Sequence, residues 1–109
     1  MAIQHASPGQ ALDVRPLRDR LSTTRTAALF KSVDLEVMRL VLLAGKALPP
    51  HRVPGEITIH CLEGSLDIEF IGGAVRLEAG ELLFLAENAT HGVKAVTDTS
   101  ALITIALRS

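Results

Sequence analysis

With 109 residues, 48% of them hydrophobic, the chain has the length of one domain and enough apolar material to bury a core of its own. Only 3% is aromatic, with three Phe and no Trp or Tyr, so the core must be aliphatic and few rings remain for stacking on bases or sugars. The formal net charge is −1, with eleven Lys and Arg scattered among twelve Asp and Glu, which argues against nucleic acid and against an anionic membrane as partner.

Met1 to Gln10 is small and polar, carries Pro8 and Gly9, and lacks the apolar run of a signal peptide, so it reads as the start of a flexible arm. Pro16 ahead of Leu17 to Leu21 predicts a single helical turn or an extended edge segment. Arg15, Arg18, Arg20 and Arg25 are interleaved with Asp13 and Asp19, the pattern of a solvated face rather than an anion site. Residues 1–25 are expected to form an arm, partly flexible or in contact with a second subunit, ahead of a barrel domain over 26–109.

From Thr26 onward the pattern is β. Strands are predicted over Thr26 to Lys31 and Leu35 to Leu42, with a turn at Ser32 to Asp34. Pro49-Pro50 forbid helix and central-strand pairing just before His51. Ile57 to Leu62 and Leu66 to Phe70 follow, joined at Glu63-Gly64-Ser65, which reads as a tight hairpin. Ala74 to Leu77, Leu82 to Leu85, His91 to Val96 and Ala101 to Leu107 complete a series of short strands separated by Gly, Pro, Asn and Asp. Such a series predicts an all-β antiparallel sandwich or small barrel. No apolar run is long enough to span a bilayer as a helix. Cys61 is the single cysteine, so no internal disulfide can form and a reducing cytoplasm is the expected compartment.

Two segments, Gly45 to Gly64 and Gly80 to His91, resemble the paired motifs of the cupin superfamily. In the first, Gly45, His51 and Gly64 fall at the family spacing; in the second, Gly80 and His91 do. The resemblance implies a cupin-type double-stranded β-helix, a jelly-roll barrel, with a metal site at the motif histidines. This sequence departs from the motifs at Val53, where the family has a second His, and at Ile57, where it has Glu or Gln. Ala86, Asn88 and Ala95 replace the Pro, Gly and Asn of the second motif. Of the four ligand positions, only His51 and His91 remain as metal ligands.

Two imidazoles suit a divalent ion such as Fe, Ni, Zn or Mn, but leave most of the coordination sphere to water. A bulge after Pro54-Gly55 would bring Glu56 inward as a third ligand, giving a two-His, one-carboxylate set. Without metal, His51 and His91 are two hydrogen-bonded histidines at a cavity mouth. If position 57 points inward, Ile59 and Cys61 do too, while His60 faces out. Val53, Ile57, Ile59, Cys61, Phe84 and Val93 are expected to line an aliphatic ligand pocket, with Cys61 as a small buried hydrophobe. A sugar-epimerase activity is disfavoured, because in cupins it resembles a His and Tyr acid-base pair and there is no Tyr.

Three readings follow: a barrel that binds a small, largely apolar ligand with weak divalent metal binding at the two His; a metal-dependent oxygenase or isomerase using His51, Glu56 and His91; and a non-enzymatic regulatory or structural module that works through its dimer. An extended apolar segment over Thr26 to Leu43 leaves a sheet edge to cover, and its exchange between two chains predicts a homodimer. Light scattering at micromolar concentration is expected to give twice the monomer mass, and a monomer would contradict that assembly.

Overall fold

Strict alternation in the middle of the chain builds the barrel. Ile57, Ile59 and Cys61 are buried while Thr58, His60 and Leu62 between them are half-buried, so one strand presents a single aliphatic face inward. Leu66 and Ile68 do the same on the following strand. The computed structural model of the chain describes residues 5–107. Residues 1–4 of the expected arm and 108–109 of the expected barrel domain lie outside the described residues.

A short 3-10 helix (Arg18–Thr23) precedes β1 (Ala27–Lys31), β2 (Leu35–Leu42), β3 (Ala47–His51), β4 (Ile57–Glu63), β5 (Ser65–Phe70), β6 (Gly73–Glu78), β7 (Leu82–Leu85), β8 (His91–Ala95) and β9 (Thr99–Ala106). One sheet runs β1-β2-β9-β4-β7 and the other β3-β8-β5-β6, with antiparallel pairing throughout. Their inner faces close on an aliphatic core that includes Leu40, Ile57, Ile59, Cys61, Leu66, Ile68, Val93 and Ala101. The all-β jelly-roll barrel expected from the sequence is the fold observed.

Two local features differ from those expected. Glu63-Gly64-Ser65 is not a hairpin turn: β4 pairs with β7 and β9 in one sheet, and β5 with β6 and β8 in the other. The chain instead turns a corner between sheets. Gly64 has φ +84, and a Cβ there would collide with the backbone of Asp98 and Thr99, so the position needs glycine for both conformation and space. Thr99 seals the corner, its hydroxyl accepting from the Ser65 amide at 3.0 Å. The second is an addition: a strand not predicted from the sequence, β3, carries Pro49 and Pro50, and it keeps to the rule that they exclude central-strand pairing. It lies at a sheet edge, and its register with β8 slips between Leu48 and His51, so the missing amide hydrogens break no central ladder.

The described part of the arm is docked. Val37 and Arg39 are buried although their neighbours Met38 and Leu40 face the barrel interior, so the outer face of β2 is covered as well. Leu17 and Leu21 are buried too, and the Arg39 guanidinium donates to the Asp13 carbonyl at 3.1 Å. The Glu63 carboxylate accepts from the amides of Leu17 at 2.7 Å and Arg18 at 2.9 Å, and from the Ser100 hydroxyl. The Arg15 to Asp13 pair at 3.0 Å is exposed and contributes little. Cys61 donates to the carbonyls of Gly64 at 3.5 Å and Glu63 at 3.6 Å, and burial with nearby carboxylates pushes its thiol up to about 11. It behaves as a structural residue.

Burial alone would raise the Glu63 carboxyl, but the hydrogen bonds from Ser100, Leu17 and Arg18 outweigh it and hold the group below its ordinary value. A depressed carboxyl stabilises the fold above its unfolded-state value of about 4.3 and loses that contribution as pH falls further. Glu63→Ala is expected to cost about 1–3 kcal/mol and to speed tryptic cleavage at Arg18 and Arg20, while Glu63→Gln has a smaller effect. Unchanged cleavage in Glu63→Ala would show that the clamp does not hold the arm.

Candidate functional site

Where β3 ends and β8 begins, the register places His51 directly opposite His91. The ring centroids are 4.7 Å apart and the planes tilted by 51°. His91 is buried, only 4% exposed, and His51 stands exposed at the rim. Each ring is tied to the chain two residues earlier: Nδ1 of His51 lies 3.3 Å from the Pro49 carbonyl, and Nδ1 of His91 lies 3.1 Å from the Ala89 carbonyl. A carbonyl oxygen can only accept, so in both rings Nδ1 carries a hydrogen, and in the neutral form of each ring Nε2 is then the acceptor.

Both imidazoles line one cavity of about 260 Å³. Its walls are Met38, Leu40 and Leu42 from β2, Ile103 and Ile105 from β9, Ile59 from β4, Leu48 from β3 and Val93 from β8. Thr26 is the one other polar side chain in the lining, and its hydroxyl is occupied by the Val41 backbone, accepting from its N–H at 2.8 Å and donating to its carbonyl at 3.2 Å. Among the described residues, no Asp, Glu, Lys or Arg lines it. Among those residues, the cavity is therefore a largely aliphatic chamber whose available polar side-chain atoms are imidazole nitrogens.

Of the pocket residues expected from the sequence, Ile59 and Val93 line this cavity. Ile57 and Cys61 also face inward but are packed in the core beside it, and Val53 lies half-buried against that core. Phe84 is a correction: it is 59% exposed. Antiparallel partners share a face, and β4 pairs Ile57 with Leu85 and Ile59 with Leu83, so Leu83 and Leu85 point inward and Phe84 joins Thr58 outside. β2, β9 and Leu48 also contribute to the lining; they lie outside the expected pocket set, although alternation at Met38, Leu40 and Leu42 and at Ile103 and Ile105 carries the same signal. His60 is half-buried on the outer side of β4, opposite Leu82 and Leu102.

Glu56 does not complete a metal set. It is exposed and outside the cavity lining; the backbone stays regular enough for its carbonyl to accept from the Ala106 amide at 2.9 Å. The bulge imagined after Pro54-Gly55 is opposed by Gly55, which is packed so tightly that a Cβ would collide with the Ala106 carbonyl. Among the described residues, no three His, Cys, Asp or Glu side chains are gathered closely enough to hold an ion. Structural and catalytic sites use three or four protein ligands, so the donors present do not fit a tightly held metal.

The family model for the cupin domain matches residues 38–107, the span from β2 to the end of β9. No curated protein matches the chain. Among solved structures, it is similar to an RmlC-like cupin protein from Desulfovibrio desulfuricans, at 28% identity and a TM-score of 0.69, covering 94% of this chain and 97% of that one. A cupin superfamily protein from Desulfitobacterium hafniense aligns at 16% identity and a TM-score of 0.77, covering 94% of this chain and 100% of that one. A conserved protein of unknown function from Streptococcus pyogenes aligns at 18% identity and a TM-score of 0.76, covering 100% of this chain and 96% of that one. The last two likenesses concern the fold alone. Among the described residues, no helix is long and apolar enough to cross a membrane.

The placements of Glu56 and Ile59 lead to opposite outcomes on truncation. Glu56→Ala is expected to stay within about 0.5 kcal/mol of the parent in urea unfolding. Ile59→Ala, at a position with no exposure, is expected to cost about 2–5 kcal/mol. A large loss in Glu56→Ala would mean that the carboxylate has an inward role.

Proposed function

The chain belongs to the cupin family, and from that membership we propose that it binds a small, largely apolar molecule inside the barrel, with the polar end of the ligand at His51 and His91. The observation that carries this reading is the lining: aliphatic walls from both sheets around about 260 Å³, with two imidazoles as the available polar side chains among the described residues. An ionised ligand buried deep among those walls would lose its hydration without a partner, so the body of the ligand is apolar. The polar end belongs where the exposed His51 keeps access to water.

A divalent ion such as Fe, Ni, Zn or Mn is a second occupant on this reading, held weakly by two imidazoles and water. The enzymatic alternative built on His51, Glu56 and His91 loses support, because Glu56 stands outside the cavity. Binding to the native state alone raises the melting temperature, so short aliphatic ligands are expected to stabilise the chain in a thermal-shift assay. Val93→Trp, which fills the cavity, should abolish the shift. Protein purified without an affinity tag should contain less than one metal ion per chain. A stoichiometric metal lost in His51→Ala and His91→Ala would overturn the ligand-first reading, as would a folded wild type that no such ligand stabilises.

A further inference from the structure

The two rings offer an unusual combination of groups. Both Nδ1 hydrogens are committed to backbone carbonyls, at 3.3 Å for His51 and 3.1 Å for His91. In the neutral ring each Nε2 is then an acceptor without a hydrogen to give. The Thr26 hydroxyl is consumed by Val41, and every other cavity wall is aliphatic. With both rings neutral, the side chains of the described residues that line the chamber can therefore accept hydrogen bonds at two adjacent points and have no free donor.

We infer that the ligand is an aliphatic primary amine, its two N–H groups shared between His51 and His91 and its alkyl chain in the cavity. The inference rests on the interior-binding reading above and names the head group that reading left open. A carboxylate brings only acceptors and would face two lone pairs. An alcohol brings one hydrogen and satisfies one ring. A primary amine brings at least two. Two such bonds of about 2.9 Å diverging at a tetrahedral angle span acceptors about 4.7 Å apart, and the two rings, register partners with centroids 4.7 Å apart, are near enough for one nitrogen to bridge them. A third hydrogen, if the amine is charged, points toward the rim, where His51 meets water. Size follows from the void: at about 30 Å³ of liquid volume per water-sized atom, 260 Å³ holds about eight heavy atoms, so hexylamine is a fitting probe.

The test is calorimetric titration of the full chain at pH 8, in the presence of a chelator, with hexylamine, hexan-1-ol and hexanoate. Hexylamine is expected to bind at least tenfold more tightly than hexanoate, with hexan-1-ol between them. His51→Phe keeps a ring at the exposed rim but removes one acceptor, and should reduce the preference for the amine over the alcohol to threefold or less. His91→Phe is the second variant, should His51→Phe not fold. Hexanoate binding as tightly as hexylamine, or a preference unchanged in both variants, would overturn the amine assignment while leaving the cavity as a binding site. No binding of any of the three, or binding undiminished in Val93→Trp, would instead overturn the interior-binding reading itself.

Discussion

The corner at Gly64 is the constraint on which the barrel depends. One residue earlier the chain lies in the sheet of β4, and one residue later in the sheet of β5. The turn requires a left-handed backbone and allows no side chain against Asp98 and Thr99. Because β4 and β5 are forced into opposite layers, the alternating residues Ile57, Ile59 and Cys61 face Leu66 and Ile68 across the interior instead of lying beside them. The same corner carries the Glu63 carboxylate to the outer surface, where it receives the arm. Core closure and arm docking thus share a single turn.

The site is what the core leaves unfilled. Towards the Gly64 corner, inward side chains are packed to full burial. Towards the His51 and His91 end, side chains from both sheets surround a void walled by Met38, Leu40, Ile103 and their neighbours. Packing a void forfeits dispersion contacts, so leaving one has a cost in stability that a bound molecule can offset. The departures Val53 and Ile57 have a matching effect. Where the cupin motif has ligands, this chain places aliphatic atoms in or against the core, which lowers the polarity around the imidazoles.

Most of the fold was legible because it depends on period. Leu35 to Leu42 and Leu82 to Leu85 appear as strands at the predicted residues, and the inward set Ile57, Ile59 and Cys61 follows from alternation alone. What depends on pairing was not legible. Whether Phe84 or Leu83 faces inward is decided by which residue of β4 it opposes, and a slip of one position reverses every side chain. The Gly64 turn could not be told from a hairpin, since both use a glycine at positive φ and differ only in the partners of the strands that follow. Glu56 was a question of backbone freedom, answered by the close approach of Gly55 to Ala106, which no local pattern encodes.

The doubled proline that concealed β3 has a further effect at the margin of the molecule. β3 is an outermost strand, and an outermost strand offers its unpaired amides as a template for foreign chains. Pro49 and Pro50 have no amide hydrogens to offer, and the register slip beside them interrupts any continuous ladder. Fibril-like growth along this side of the molecule would therefore stall next to the imidazole pair. The prolines thus guard this edge against self-templated aggregation where the cavity lined by His51 and His91 lies.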